Sequence, residues 1–400
     1  MTVPSDNGGT LHGLDLAEVH RFASHAAILA GSYLRDSALA RTTAGGAHTS
    51  FDESIQIKEN AADIVTKADM HSEQMITKLI REKYPDHKII GEESYSAGQE
   101  KRFLLDDSPT WIIDPLDGTV NFVHLFPTCC VSIGFCVNKV PLVGAIFSPV
   151  IGGLHMTNAS GTLTSAARGL GAWSTSISFP YDPSALDPLS SPSPPLQQAS
   201  ASSSGTSTPR SINTPKPQPW QHAMPLPYLP PQPIPPDAPK GCLFVSEWGK
   251  ARADKPESNL SRKVTSFWNV AAEIGGRGGK GGMVHGIRSL GSATLDCQYV
   301  ATGAADIFWE GGCWEWAPQD VCAGIVLILE AGGRVVPSAP PPECLADPSA
   351  PIPDADLGGR LYLAVRACSG TENETAREAQ DRLIRAVWEK TVPLDYSRPT

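Results

Sequence analysis

No run of about 18 apolar residues, the length a helix needs to cross a bilayer, occurs anywhere in the 400-residue chain. Its most apolar stretch, Val131 to Val150, is broken by Asn138, Lys139, Pro141 and Pro149 and reads as strands. Basic charge is scarce: 32 Lys and Arg face 42 Asp and Glu, a formal net charge of -10. That balance speaks against a nucleic-acid binder, which must neutralise phosphates with cations of its own. An anionic substrate would need bound metal ions. The nine cysteines include no C-x-x-C pair, and they sit in apolar surroundings such as "TCCVSIGFCV" and "DVCAGIVL". Buried free thiols in a reducing compartment are expected, not zinc or a disulfide framework. The N-terminus "MTVPSDNGGTLHGLDLAEVHRF" has acids and glycines where a secretory signal places a basic segment and an apolar run, so a cytoplasmic protein is expected.

With 41% hydrophobic and 18% charged residues, the chain can bury a large core. Two units are expected: an N-terminal α+β domain over residues 10–178 and a C-terminal α/β domain over residues 241–400. Between them, residues 179–240 hold about half of all the prolines together with Ser, Thr and Gln, a composition that predicts a disordered or polyproline-like insertion. Apolar residues at three-and-four spacing predict helices from Asp15 to about Arg35 and from about Ala68 to Lys83. "KIIGEES" and "TWIIDPLDGTVNF" each read as a strand running into acidic residues. "CVSIGFCVNKVPLVGAIFSPV" reads as a hairpin turning at Asn138-Lys139. In the second half, a helix over Leu290 to Val300 and a long apolar helix closed by Gly332-Gly333 are predicted. A Pro-rich loop over 337–356, the strand "LYLAVRA" and the helix "TAREAQDRLIRAVWEK" follow.

The stretch "WIIDPLDGTVNF", Trp111 to Phe122, ends an apolar run in Asp114 and Asp117, three positions apart. Two like charges so close are costly unless a cation lies between them. Hard oxygen ligands select Mg²⁺, which takes one or two carboxylates from a segment and needs others from elsewhere. Gly118 leaves room for a ligand oxygen at the backbone, and Thr119 opens a turn whose N–H donors suit a phosphate. Together these features fit metal-assisted hydrolysis of a phosphate ester. In isolation the same string also describes a turn that caps its own backbone, and the hexapeptide alone does not separate the two.

Four segments in order and at consistent spacing resemble the inositol monophosphatase family: "GEES" at Gly91 to Ser94, "DPLDGTVNFVH" at Asp114 to His124, "GIRSLGSATLD" at Gly286 to Asp296, and "DVCAGIVLILEAGG" at Asp320 to Gly333. The resemblance covers nearly all of residues 10–390 outside the two Pro-rich loops. It implies a layered αβαβα sandwich (α+β, with α/β character in the second half), Mg²⁺ as cofactor, lithium sensitivity and a homodimer. Matched position by position, Glu92, Asp114, Asp117 and Asp320 correspond to metal ligands, with the Leu116 carbonyl as a main-chain ligand. Asp69 and Thr119 correspond to the pair that orients the attacking water, which Glu92 also touches through a metal. Asp117, Gly118, Thr119, Ser292, Ala293, Glu310 and Asp320 correspond to substrate-binding positions, Gly118 and Thr119 through a phosphate-binding backbone and Ser292, Ala293 and Glu310 near the alcohol part. Lys58 and Asp63 correspond to supports of the metal region. His124 and His285 have no role in the family, and Glu93 reads as a structural neighbour of Glu92.

One departure stands out. The family usually has Trp directly before the last metal-binding aspartate, whereas "CWEWAPQDVCAG" places Gln319 there, as though Ala317 to Gln319 had entered the chain. If the insertion bulges outward, Asp320 still opens its helix; otherwise Glu315 is the fallback ligand. The activity implied is a Mg²⁺-dependent phosphomonoesterase acting on inositol monophosphate. The alternatives are the same chemistry on a nucleotide 3′-phosphate, histidinol phosphate or a sugar phosphate, or a catalytically weakened regulatory homologue. For residues 179–240, a partner domain that reads proline stands beside a tolerated loop insertion.

Overall fold

The computed structural model describes residues 10–11, 13–43, 56–57, 64–96, 105–149, 160–181, 223–311, 319–357, 359 and 361–396. The first half runs β1 (Thr10–Leu11), β2 (Leu14–Asp15), α1 (Leu16–Thr43), β3 (Gln56–Ile57), β4 (Ile64–Val65), α2 (Lys67–Lys83), β5 (Lys88–Gly91), α3 (Glu92–Ser96), β6 (Thr110–Asp117), α4 (Thr119–Val123), β7 (Cys130–Val137), β8 (Val140–Ser148), β9 (Ser160–Ala167) and β10 (Gly171–Ser178). The second half runs β11 (Met224–Pro225), β12 (Leu243–Val245), α5 (Asn259–Ala271), β13 (Gly286–Arg288), α6 (Ala293–Thr302), β14 (Ile307–Gly311), α7 (Gln319–Glu330), β15 (Arg334–Pro337), α8 (Pro342–Ala346), β16 (Leu361–Val365) and α9 (Ala376–Lys390).

Two sheets carry the architecture. The larger has the order β11-β10-β9-β8-β7-β6-β5, antiparallel except where β5 runs parallel to β6. The smaller has the order β13-β12-β14-β16-β15, parallel around β12 and antiparallel around β16. Side-chain alternation along the strands divides the interior into three cores. Trp111, Ile113, Val131, Ile133 and Phe135 face α1 and α2, whereas Ile112, Cys130 and Cys136 point the other way, toward α6 and α7. On the smaller sheet, Phe308 and Tyr362 face α6 and α7 while Ile307, Trp309 and Leu363 pack against α9. The layers therefore read helix, sheet, helix, sheet, helix. The middle core joins residues from both halves of the chain, which binds residues 10–178 to 241–400 by shared apolar burial.

Several elements match their sequence patterns. The helix read from Asp15 to about Arg35 continues to Thr43, and the second starts at Lys67 with a Thr66–Asp69 capping box. Asn138 and Lys139 both take positive φ, 52° and 61°, as a two-residue hairpin with the right twist requires. Eight described cysteines are free and buried. Helix α5 was not read from the sequence, although Ser258 caps it at Ser261 N. Its apolar residues Leu260, Val264, Phe267 and Trp268 recur at three-and-four spacing, yet Val264 and Trp268 are exposed.

The expectation of disorder across 179–240 is corrected for its last part. Residues 223–240 are ordered: β11 adds to the edge of β10, and Leu226, Ile234 and Ala238 are buried. Proline has no N–H to offer a ladder but keeps its carbonyl, so the strap is held by donors from outside. Arg382 of α9 donates to the carbonyls of Pro235 at 2.8 Å and Pro236 at 3.1 Å, and Arg366 donates to that of Gln232 at 2.8 Å. The Pro-rich loop at 337–356 likewise carries α8 and buries Cys344 and Ile352, with Arg334 and Arg377 donating to the Ile352 carbonyl.

On α1, His20 is buried with no hydrogen-bond partner on either ring nitrogen among the described residues. Burial, assisted by the Arg21 charge, lowers its pKa from 6.5 to about 4. Between those values the unfolded chain binds the proton and the folded chain does not, so stability is full above pH 6.5 and falls as the pH drops toward 4. His20→Leu is expected to remove up to about 3 kcal/mol of this acid loss. Urea denaturation of both proteins at pH 7 and pH 4.5 measures the difference.

Candidate active site

Strand β6 delivers both aspartates, but not by the simple turn that the sequence suggests. Asp114 pairs with Ser132 and Asp117 with Cys130, so three steps on β6 oppose two on β7. The extra residue is a β-bulge, and Pro115, which cannot donate to the ladder, lies inside it. The bulge secures itself: Asp114 Oδ1 accepts the Leu116 N–H at 3.0 Å, and the Leu116 carbonyl accepts the Thr119 hydroxyl at 3.0 Å. Gly118 follows at φ 86°, ψ 39°, and a Cβ there would stand 2.7 Å from the Thr128 carbonyl oxygen. No side chain caps the helix α4 that begins after it.

Asp69, at the start of α2, serves two masters. Its Oδ2 accepts from Thr66 N at 3.0 Å and from the Thr66 hydroxyl, the capping role; its Oδ1 lies 3.0 Å from the Thr119 hydroxyl, across the gap to β6. Burial raises its pKa to about 6, and the Glu92 charge adds to that, while the Thr66 and Thr119 hydrogen bonds act in the opposite sense. Asp117 is raised by burial too, although its Oδ2 accepts the Ser292 hydroxyl at 2.7 Å and Thr294 N at 2.8 Å. Ser292 therefore turns toward Asp117 while capping α6, and Ala293 is buried in the first turn of that helix. Cys129, close enough to feel Asp117 and Asp69, is pushed up to about 12 mainly by burial, so it stays a neutral thiol.

The structure thus brings together Asp69, Glu92, Asp114, Leu116, Asp117, Gly118, Thr119, Ser292 and Ala293. Asp320 lies in the first turn of α7, directly after Gln319, and Glu310 lies in β14 opposite Tyr362; the side chains of both fall outside the described residues. Lys58, Asp63, Glu315, Ala317 and Pro318 fall outside them as well. His124 is exposed at the end of α4 and His285 is exposed beside β12, and no described hydrogen bond joins either ring to the acids.

Three supports were not read from the sequence. Glu73, one helical turn after Asp69, accepts from Glu93 N at 2.7 Å and Ser94 N at 2.9 Å. Asn121 Nδ2 donates to the Thr128 and Leu290 carbonyls, each at 2.7 Å, tying α4 to the loop before Ser292. Glu247 accepts Leu290 N at 2.5 Å and the Ser289 hydroxyl at 2.9 Å, fixing the same loop from β12's side. The four-residue spacing of Asp69 and Glu73 was the one signal available beforehand.

Among the described residues no three acidic, thiol or imidazole side chains close into a metal site by themselves. The donor set nevertheless fits a hard divalent cation. It consists of carboxylates and a carbonyl, and the groups holding Asp69 and Asp117 are neutral hydroxyls and N–H groups. Burial raises the neighbouring thiols Cys129 and Cys130, which keeps them neutral beside the acids.

A model of the inositol monophosphatase family matches residues 15–391. The chain is 43% identical over 396 residues to the quinic acid degradation cluster protein x of Neurospora crassa, covering 98% of each. It is 31% identical over 340 residues to inositol monophosphatase 1 of Saccharomyces cerevisiae, covering 85% of this chain and 87% of that one. The solved inositol monophosphatase of Anabaena superposes with a TM-score of 0.53 at 25% identity, covering 95% of this chain and 98% of that one.

Gly118→Ala is expected to destabilise the protein by roughly 2 kcal/mol or more, because it adds both positive-φ strain and the clash with the Thr128 carbonyl. Thermal unfolding beside the exposed control Glu82→Gln measures it.

Proposed function

The chain belongs to the inositol monophosphatase family and is a phosphatase of that family, and on this basis we propose that it hydrolyses inositol monophosphate to inositol and phosphate with Mg²⁺ as cofactor. The observation that carries the mechanism is the contact of Asp69 Oδ1 with the Thr119 hydroxyl at 3.0 Å, at the end of the bulged β6. The Thr119 hydroxyl has one proton and two acceptors within reach, Asp69 and the Leu116 carbonyl. When it donates to Leu116, Asp69 Oδ1 is open to a water proton, and the Thr119 oxygen can accept from the same water. Asp69 and Thr119 thereby orient a water toward phosphorus, and Asp69, raised toward neutrality by burial, takes its proton.

Glu92, Asp114, Asp117, Asp320 and the Leu116 carbonyl would hold the Mg²⁺. When bound, the cation supplies charge stabilisation of the phosphoryl group and acidifies water. The Gly118 and Thr119 backbone receives the phosphate oxygens, since Gly118 presents no side chain and α4 begins without a side-chain cap. Ser292 holds the Asp117 carboxylate and, with Ala293 and Glu310, faces the alcohol. Gln319 opens α7, so the extra residues Ala317 to Gln319 leave Asp320 in a helical first turn, in keeping with its ligand role.

A second reading of the alcohol has its own support. Quinic acid and inositol are both polyhydroxylated cyclohexanes, and a 43% identical relative carries the quinic acid name. A related ring acid phosphate is thus the alternative substrate, beside the nucleotide 3′-phosphate, histidinol phosphate and sugar phosphate classes. Lithium sensitivity, a homodimer and a cytoplasmic location extend the same proposal; no described helix is long and apolar enough to cross a membrane. A proline-reading partner for the 179–240 insertion has a candidate contact in the exposed run Tyr228 to Pro233, held at its ends by buried Leu226 and Ile234.

Phosphate release from a panel of these esters, with and without Mg²⁺, tests the reading. Turnover is expected only with the metal, and Asp69→Asn and Asp117→Asn are each expected to lower it by about 100-fold or more. A panel without metal-dependent turnover on any ester overturns the enzyme.

A further inference from the structure

Glu73 is a buried carboxylate that neither the motifs nor the mechanism above employs, at 4% exposure on α2. It reaches from one layer to the next. One oxygen accepts the Glu93 N–H at 2.7 Å; the other accepts the Ser94 N–H at 2.9 Å and also the Ser94 hydroxyl. These donors are the N-terminal groups of α3, which otherwise has no intrahelical partners for them. The space the carboxylate occupies exists because residue 91 is glycine: a Cβ there would stand 2.4 Å from the Glu73 carboxyl carbon and 2.6 and 2.7 Å from its oxygens.

Glu92 is the residue caught between. Gly91 before it ends β5, and Glu93 and Ser94 after it are bound to Glu73, so its backbone is fixed on both sides. The same helix, one turn earlier, carries Asp69 and its bond to Thr119, the first residue of α4 just beyond the end of β6. Helix α2 therefore sets the distance between the end of β5 and the end of β6 through two carboxylates four residues apart. We propose that Glu73 is the positioning residue for Glu92: it holds α3 so that the Glu92 carboxylate is presented to a divalent cation. This rests on the metal-dependent reading of the site.

Isothermal titration of Mg²⁺ into the full-length protein tests it without recourse to turnover. Glu73→Gln keeps one acceptor oxygen but sets an amide N–H₂ against the α3 donors, and is expected to weaken Mg²⁺ binding about ten-fold, the order typical of outer-shell partners. Gly91→Ala keeps the Glu73 charge but displaces it, and is expected to do the same. Glu82→Gln, exposed on the same helix, is expected to bind as the unaltered protein does. The melting temperature without metal is expected to fall in both test variants, because the buried α3 donors lose their acceptor, and the rise on adding Mg²⁺ is expected to shrink as well. If the unaltered protein binds Mg²⁺ and both variants bind it equally well, the role of Glu73 is overturned and the metal-dependent reading stands. If the unaltered protein binds none, both fall together. Should both variants fail to fold, Glu73 is a stability residue and the proposal is overturned.

Discussion

Carboxylates gathered in a buried space repel one another, and this constraint shapes much of the structure around β5 and β6. Asp69 is raised partly by Glu92, and Asp117 partly by Glu247. The partners that hold Asp69 and Asp117 carry no charge: hydroxyls of Thr66, Thr119 and Ser292, and the N–H groups of Thr66 and Thr294. Neutral donors fix the positions of the acids without cancelling their charge. An arginine in the same place would satisfy the acids and compete with any cation. The supports thus leave the negative field of the acids in place.

The layered packing explains how groups so far apart in sequence come together. Asp69 comes from α2, Glu92 from the junction of β5 and α3, the two aspartates from the bulge in β6, and Ser292 from the cap of α6. The outer core of the larger sheet fixes α2 against β6, and the middle core fixes α6 and α7 against its other face. The Ser292–Asp117 hydrogen bond crosses from one half of the chain to the other, and the Asn121 contact with Leu290 does so again. Site geometry is in this sense a consequence of core packing.

Much of this was legible in the sequence where a residue's chemistry and its local pattern agree. The clustering of Asp114 and Asp117 pointed to a cation, Gly118 to room for a ligand oxygen at the backbone, and Gly332 to a helix end, which its φ of 91° bears out. What was not legible depends on contacts between segments. A bulge is a mismatch between two strands, so β6 alone shows only a proline between acids. Glu73 resembles any solvated helix glutamate until the glycine at 91 makes room for it. The ordered strap at 223–240 has the composition of a disordered tract, because the donors that hold it are arginines more than 100 residues away.

Strand β11 has a consequence of a different kind. The chain completes β10 at Ser178 and re-enters as Met224 paired with Ser174, so departure and return lie on adjacent strands. Closing a longer loop between fixed ends costs only about 0.6 kcal/mol per doubling of its length. This edge is also the far end of the seven-strand sheet from β5 and β6, roughly 24 to 29 Å away at ordinary strand spacing. Lineages could therefore lengthen, shorten or rewrite the intervening residues with little effect on the acidic centre, and natural selection could act on that segment separately from the chemistry.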